Sequence, residues 1–129
     1  MATFSTANHS VLKSIAWEPE NPAERINDHI LMSRSTSNSY VICGDDGDVV
    51  INTGTSYQGV RSRERFEDLL GRKLNVKHIV FTQSHPDHIG GWSAFANDQT
   101  KTHVQKEFQR ICSERDMLGD YFMPRALKS

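Results

Sequence analysis

Apolar residues in this chain come in short bursts separated by polar and turn-forming residues, and the period of those bursts changes along the sequence. Ile30-Leu31-Met32 reads as a short strand, and the Ser/Thr/Asn run from Ser33 to Ser39 as a turn or loop. Tyr40-Val41-Ile42-Cys43 is a second β-type run, and Val49-Val50-Ile51 a third. Gly44-Asp45-Asp46-Gly47-Asp48 between the last two is a strong turn signal, so the pair predicts a β-hairpin. The period then shifts. Over Val60–Leu70, Phe66, Leu69 and Leu70 share one helical face, and Gly71 is a natural stop. Arg61, Arg63, Glu64, Arg65, Glu67 and Asp68 read as the solvated side of that helix.

Lys77-His78-Ile79-Val80-Phe81 is the next strand, which makes strand 49–51, helix 60–70 and strand 77–81 a βαβ unit with parallel strands. Ligand sites in such sheets lie off the carboxyl ends of the strands. The Asn52-Thr53-Gly54-Thr55 loop and the His85-Pro86-Asp87-His88 loop both occupy that position, so they are expected to face each other across one site. Further on, Trp92 to Ala96 suits a short helix with Trp92 in the core. Thr102-His103-Val104 suits a strand, and Lys106 to Leu118 an amphipathic helix closed by Gly119. Tyr121-Phe122-Met123 forms a last apolar cluster. Residues 1–28 are polar and interrupted by Pro19 and Pro22, and read as an arm that Ile15, Ala16 and Trp17 could anchor; residues 29–129 form the domain.

Composition narrows this picture. A chain of 129 residues is one small domain or part of a larger one, burying roughly two-thirds of its unfolded surface if it folds alone. The hydrophobic fraction of 36% is low for a self-sufficient unit, which points to completion by another segment or subunit. With 15 basic and 16 acidic residues, nothing in the charge favours nucleic acid or an anionic membrane as partner. Cys43 and Cys112 lie outside any metal or redox spacing and read as reduced structural thiols. The polar start of the chain lacks a signal-peptide pattern, and no apolar run approaches the roughly 20 residues of a membrane span, so a cytoplasmic protein is expected.

The chemistry concentrates in Thr82-Gln83-Ser84-His85-Pro86-Asp87-His88-Ile89-Gly90-Gly91. Two imidazoles and a carboxylate fall within four residues, between a strand and a Gly-Gly pair. Such groups are the usual ligands for zinc and for non-haem iron or manganese. Gln83 and His85 alternate on an extended segment and project to one side, whereas Asp87 and His88 turn into the next helix, so one loop can address two metal positions. Gly90 and Gly91 remove side-chain bulk where the chain must turn closely. His78 reads as a packing or surface residue, His103 as a strand residue with no partner at ligand spacing, and His9 and His29 have no motif around them.

This stretch resembles the signature of the metallo-β-lactamase fold superfamily, T-H-x-H-x-D-H-x-G-G. Gly47-Asp48-Val49-Val50-Ile51-Asn52-Thr53-Gly54 resembles that superfamily's preceding strand and loop, which usually carries Asp where Asn52 stands. Within it, Gln83 and the Asn-Thr-Gly-Thr loop look most like alkylsulfatase-like and uncharacterised hydrolase branches. The resemblance covers about residues 29–118 and implies the N-terminal half of an αβ/βα sandwich, an α/β fold completed by another segment or chain. It implies His85 as a ligand of a first metal position and Asp87 and His88 as ligands of a second. Asp87 would also orient or deprotonate the attacking water, with Asn52 and Thr82 supporting the ligands from behind. Gln83 stands in place of the first histidine. That leaves a mononuclear centre at Asp87 and His88, or an altered dinuclear site where Gln83 binds metal or substrate through its amide.

The implied cofactor is a divalent metal, zinc first, with iron or manganese as alternatives. The implied reaction is hydrolysis of an ester-like, sulfate-ester or amide-like small molecule. The alternatives are an iron-dependent oxidoreductase on the same fold and a non-catalytic subunit that binds a partner. Nothing after His88 matches the superfamily's later ligands. A second polypeptide or a missing C-terminal segment is therefore expected to supply them.

Overall fold

A computed structural model describes residues 22–116 of the chain. Ile15, Ala16, Trp17, Gly119 and the Tyr121–Met123 cluster lie outside the described residues. Six strands form one mixed sheet in sequential order: β1 (Glu24–Arg25), β2 (Ile30–Ser33), β3 (Ser39–Gly44), β4 (Gly47–Ile51), β5 (Val76–Val80) and β6 (Lys101–His103). The first four pair antiparallel, and β5 and β6 add in parallel. Helix α1 spans Ser56–Leu70, α2 Pro86–Ile89 and α3 Trp92–Phe95, and the chain is helical again from 108 to 116.

The expected hairpin is β3–β4, with Gly44 opposite Gly47 across Asp45-Asp46. The expected βαβ unit is β4–α1–β5. The sheet also takes in part of the stretch read as an arm. Asn27 Oδ1 accepts from the backbone of His29 and Ile30, both at 2.9 Å, turning the chain so that Glu24–Arg25 pairs with Leu31–Met32.

Strand register sorts the side chains into rows. Leu31, Val41, Val50 and Ile79 stand in register across four strands, and all four are fully buried. With Phe66 of α1 and Phe95 of α3, whose rings sit 6.5 Å apart, they make the core. The alternate positions form two rows on the other face: Ile30, Ile42, Val49 and His78, then Met32, Tyr40, Ile51 and Val80. Every residue of these rows is only partly buried.

α1 begins at Ser56, four residues before its apolar face becomes visible in the sequence. Thr55 and Gln58 form a capping box that satisfies the first turn, and Gly71, at φ 65°, ends the helix by donating its N–H to Glu67 O at 2.9 Å. Two charges expected in solvent are not there. Arg65 is buried beneath the β2–β3 loop, where Nη1 donates to Arg34 O at 3.3 Å, and burial lowers its pKa. Glu67 lies under Arg63 and Lys73, its side chain 10% exposed.

At the amino end of β4 the buried Asp48 carboxylate takes two 2.8 Å hydrogen bonds from Arg72 and a third from the Asn75 N–H. This ties the end of α1 to the start of β5. Cys43 and Cys112 are free thiols, and burial with the neighbouring Asp48 pushes the Cys43 thiol pKa up. Among the described residues no helix is long and apolar enough to cross a membrane.

Candidate functional site

β4 and β5 end side by side, and each runs directly into one of the two loops singled out from the sequence. Backbone hydrogen bonds clasp those loops together. Asn52 N donates to Val80 O at 3.0 Å, Thr53 N to His88 O at 2.7 Å, and Gly91 N to Gly54 O at 2.9 Å. The Thr53 hydroxyl gives the His88 carbonyl a second donor at 3.0 Å. Asn52 adopts a left-handed backbone, φ 56°, which Asn tolerates better than most residues. Its amide does two jobs at once: Nδ2 donates to Thr82 Oγ1 at 2.9 Å, and Oδ1 accepts from Thr82 N at 3.1 Å. The Thr82 hydroxyl also stands 3.3 Å from Oδ1, so both groups of Thr82 engage the one Asn52 amide.

Close packing fixes the turn from behind. A Cβ on Gly91 would overlap the Thr53 carbonyl oxygen and stand 2.8 Å from Gly59 Cα. Gly91 therefore lets the motif turn lie against both the β4 loop and the first turn of α1.

Within the turn, Ser84 points inward, 8% exposed, and its carbonyl accepts from Arg115 of the last described helix. Gln83 and His85 flank it on the outside, as their alternation requires. Their fates differ. The Gln83 amide nitrogen is in hydrogen-bond contact with His88 Nε2, whereas His85 is exposed and makes no side-chain capping bond at the start of α2. Asp87 Oδ2 stands 3.5 Å from His88 Nε2, with the two side chains 35% and 16% exposed. Gln83, Asp87 and His88 thus come together, and His85 stays apart. Among the described residues, no group of three or more His, Cys, Asp or Glu side chains is placed to hold a metal ion.

Three groups around the site were not singled out from the sequence. Ser37, from the β2–β3 loop, puts Oγ 3.0 Å from His88 Nδ1 and 3.1 Å from Nε2. Gln58, 1% exposed, donates to Thr36 Oγ1 at 3.0 Å and so tethers that loop to α1. Arg115 holds the motif from the far side. The Thr-x-x-Gln capping box was a readable signal for Gln58, but nothing marks Ser37 among its polar neighbours.

Two expectations fail nearby. Trp92 is 46% exposed, because its indole N–H reaches out to Thr102 Oγ1 at 2.9 Å. His103 does have a partner: parallel pairing of β5 and β6 brings its Nε2 to 2.9 Å from His78 Nδ1.

Comparison with solved structures places this architecture. The metallo-beta-lactamase GOB-18 from Elizabethkingia meningoseptica matches with TM-score 0.59 and 28% identity, over 71% of this chain and 38% of that one. The sec-alkylsulfatase Pisa1 from Pseudomonas sp. matches with TM-score 0.64 and 20% identity, over 76% of this chain and 17% of that one. The class B3 di-zinc metallo-beta-lactamase LRA-12 from an Alaskan soil metagenome matches with TM-score 0.57 and 23% identity, over 78% and 36%. The chain therefore spans less than half the length of these proteins, and its α/β architecture corresponds to part of their fold. No curated protein sequence matches it. The family model described as "Metallo-beta-lactamase superfamily" matches residues 32–104, more than half of the chain, including both loops of this site. The chain belongs to the metallo-beta-lactamase superfamily.

Proposed function

We propose that this chain is the ligand-bearing part of a metal-dependent hydrolase acting on an ester-like, sulfate-ester or amide-like centre of a small molecule. The observation that carries the reading is the convergence of Gln83, Asp87 and His88 at the carboxyl edge of β4 and β5, in a chain of this superfamily. The donor chemistry fits a divalent ion as a partial shell. Imidazole and carboxylate are ordinary ligands for zinc, iron or manganese, and these two already lie within 3.5 Å of each other. Gln83 can add only a neutral amide oxygen, and His85 belongs to a separate position. The remaining ligands and the substrate pocket come, on this reading, from a second polypeptide or a C-terminal segment. The two partly exposed apolar rows of the sheet support such a partner. The free thiols support a reducing, cytoplasmic compartment.

A divalent ion at this position would lower the pKa of a water it binds toward neutrality. The protein's own residues supply the rest. His88 and Asp87 would hold the ion, and the partly exposed Asp87 carboxylate would orient the attacking water and accept its proton. Asn52, bonded twice to Thr82, fixes the entrance to the turn. The Thr53–His88 clasp holds His88 at the end of β4.

The test is metal content and hydrolysis of the intact assembly, with an alkyl sulfate and a β-lactam as probes. Stoichiometric zinc with turnover supports the reading, and redox-active iron supports the oxidoreductase alternative. Asp87→Ala should abolish turnover, and retention of full activity would refute the role given to Asp87. Gln83→His should add metal at the first position if that substitution emptied it.

A further inference from the structure

We infer that His78 and His103 form a two-histidine cation site across β5 and β6, suited to a divalent transition-metal ion of tetragonal preference, Cu²⁺ or Ni²⁺. The inference is independent of the metal-dependent reading of the motif turn, since no residue of the two clasped loops takes part.

Parallel register creates the pair. Val80 pairs with His103 and His78 with Lys101, so both imidazoles leave the sheet on the face opposite the Phe66–Phe95 core. Thr102, between them in the alternation, points the other way and takes the Trp92 indole N–H at 2.9 Å. His78 is partly buried and His103 exposed. His78 Nδ1 stands 2.9 Å from His103 Nε2, with ring centroids 5.0 Å apart and ring planes inclined at 45°.

That spacing is the bite of a chelate. Two imidazole nitrogens, each about 2.05 Å from one ion, lie about 2.9 Å apart at a right angle and roughly 3.3 Å apart at the tetrahedral angle. The observed separation fits the right-angle case, which with nitrogen donors is the geometry of Cu²⁺ and Ni²⁺. A tetrahedral zinc ion would require the rings to part by about 0.4 Å. Without an ion the two nitrogens share one proton, one ring donating and the other accepting. An ion replaces that proton, and the donor ring then carries it on its other nitrogen, so a neutral pair binds without net loss of a proton. Each ring turns slightly, so that both lone pairs converge on the ion instead of on each other.

The strands hold the pair at this spacing. Beyond it, Phe81 N donates to His103 O at 3.0 Å. Before it, Thr100 Oγ1 and Asn97 Nδ2 both donate to Val76 O, at 2.8 and 3.2 Å. β6 is thereby fixed to β5 at both ends, and a site on fixed strands pays little for ordering when it binds. His78 also lines an open cleft of about 380 Å³ with Asp45, Asp46, Lys77, Gln99 and Lys101. The cleft gives an ion and its water ligands a path to the pair. The carboxylates of Asp45 and Asp46 stand there against the ammonium groups of Lys77 and Lys101, and Lys77 is held by Gln99 Oε1 at 2.7 Å. No excess of positive charge lines that approach.

The test uses the full chain carrying His88→Ala, which removes the motif imidazole from competition. In the first arm, Cu²⁺ is added below one equivalent, and the amide signals of residues 78 and 103 should broaden before all others. Broadening centred elsewhere overturns the proposal. The second arm is Ni²⁺ affinity by competition with a chelating dye. His78→Gln and His103→Gln, each added to that background, should lose roughly 100-fold, the lower end of the gain from joining two ligands. The double change should lose little more than either single one, because a chelate needs both rings. Undiminished affinity in either single variant, or no Ni²⁺ equivalent bound by the parent, also overturns the proposal and leaves the pair a hydrogen bond only. Amide spectra check the fold of each variant, and where one does not fold the copper arm, which alters neither histidine of the pair, decides.

Discussion

Gly91→Ala is the sharpest probe of how the motif turn is held. The backbone there, φ −85° and ψ 9°, lies in the bridge region that non-glycine residues occupy in type I turns, so the effect comes chiefly from the added methyl. That methyl would overlap the Thr53 carbonyl oxygen, with Gly59 Cα at 2.8 Å and Thr53 C at 3.0 Å. All three neighbours are backbone atoms, so no side chain can swing aside. Relief requires moving the β4 loop or the first turn of α1, and both carry the site. Overpacking costs about 1–3 kcal/mol, and the backbone contacts place this case at the upper end, about 3 kcal/mol. For a domain of this size that corresponds to a fall in Tm of roughly 12–24 °C.

Gly71→Ala is the matched control. Nothing lies within 4 Å of its added Cβ, but its φ of 65° is left-handed. Its cost is backbone strain alone, about 1–2 kcal/mol. Thermal unfolding followed by circular dichroism should rank wild type above Gly71→Ala, and Gly71→Ala above Gly91→Ala. The Thr53 amide resonance should move only in Gly91→Ala. A Gly91→Ala protein melting within about 2 °C of wild type, set against the 4–8 °C expected per kcal/mol, refutes the close-packing account.

The Asp48–Arg72 pair and Glu67 give two further tests. Arg72→Met leaves a carboxylate whose side chain is 1% exposed without its paired charge. Losing one partner of a buried pair costs about 3–5 kcal/mol, and the 43% exposure of Arg72 places this case near 3 kcal/mol by urea unfolding. For Glu67, burial alone would raise the carboxyl pKa, but the Leu74 N–H, Lys73 and Arg63 more than offset it, and the net shift is downward. A lowered folded pKa means the stabilisation is complete above the ordinary value of 4.5 and is lost as pH falls through the folded value. Glu67→Gln should therefore be less stable than wild type at pH 7. The gap should narrow at acid pH, once the pH has fallen below the depressed folded pKa of Glu67. Parallel curves at both pH values would contradict this.

Much of the fold is legible locally. Asp45-Asp46 between two glycines specifies the β3–β4 hairpin, and the strand–helix–strand spacing specifies the parallel pair that carries the site. What escapes the sequence depends on contacts between distant residues. The face of α1 that meets the β2–β3 loop is polar, so Gln58, Ser62 and Arg65 are buried without the apolar pattern that would announce it. His78 and His103 look unrelated until parallel register sets them side by side. The motif divided His85 from Asp87 and His88 between two metal positions and placed Gln83 with His85, yet the Gln83 amide reaches His88 instead. Ser37 was illegible for the same reason as Arg65: its contact is with a residue far along the chain.

The Asp48–Arg72–Asn75 lock and the motif turn sit at opposite ends of the same two strands. For protein engineering this separates two kinds of adjustment. Stability can be raised at the amino edge, by reinforcing the lock or shortening the connection into β5, without touching any atom that faces the candidate ligands. Variants that alter Gln83 or the β2–β3 loop could then be screened in a background that tolerates their cost. Destabilising changes in binding or catalysis would become accessible to directed evolution rather than being lost with the fold.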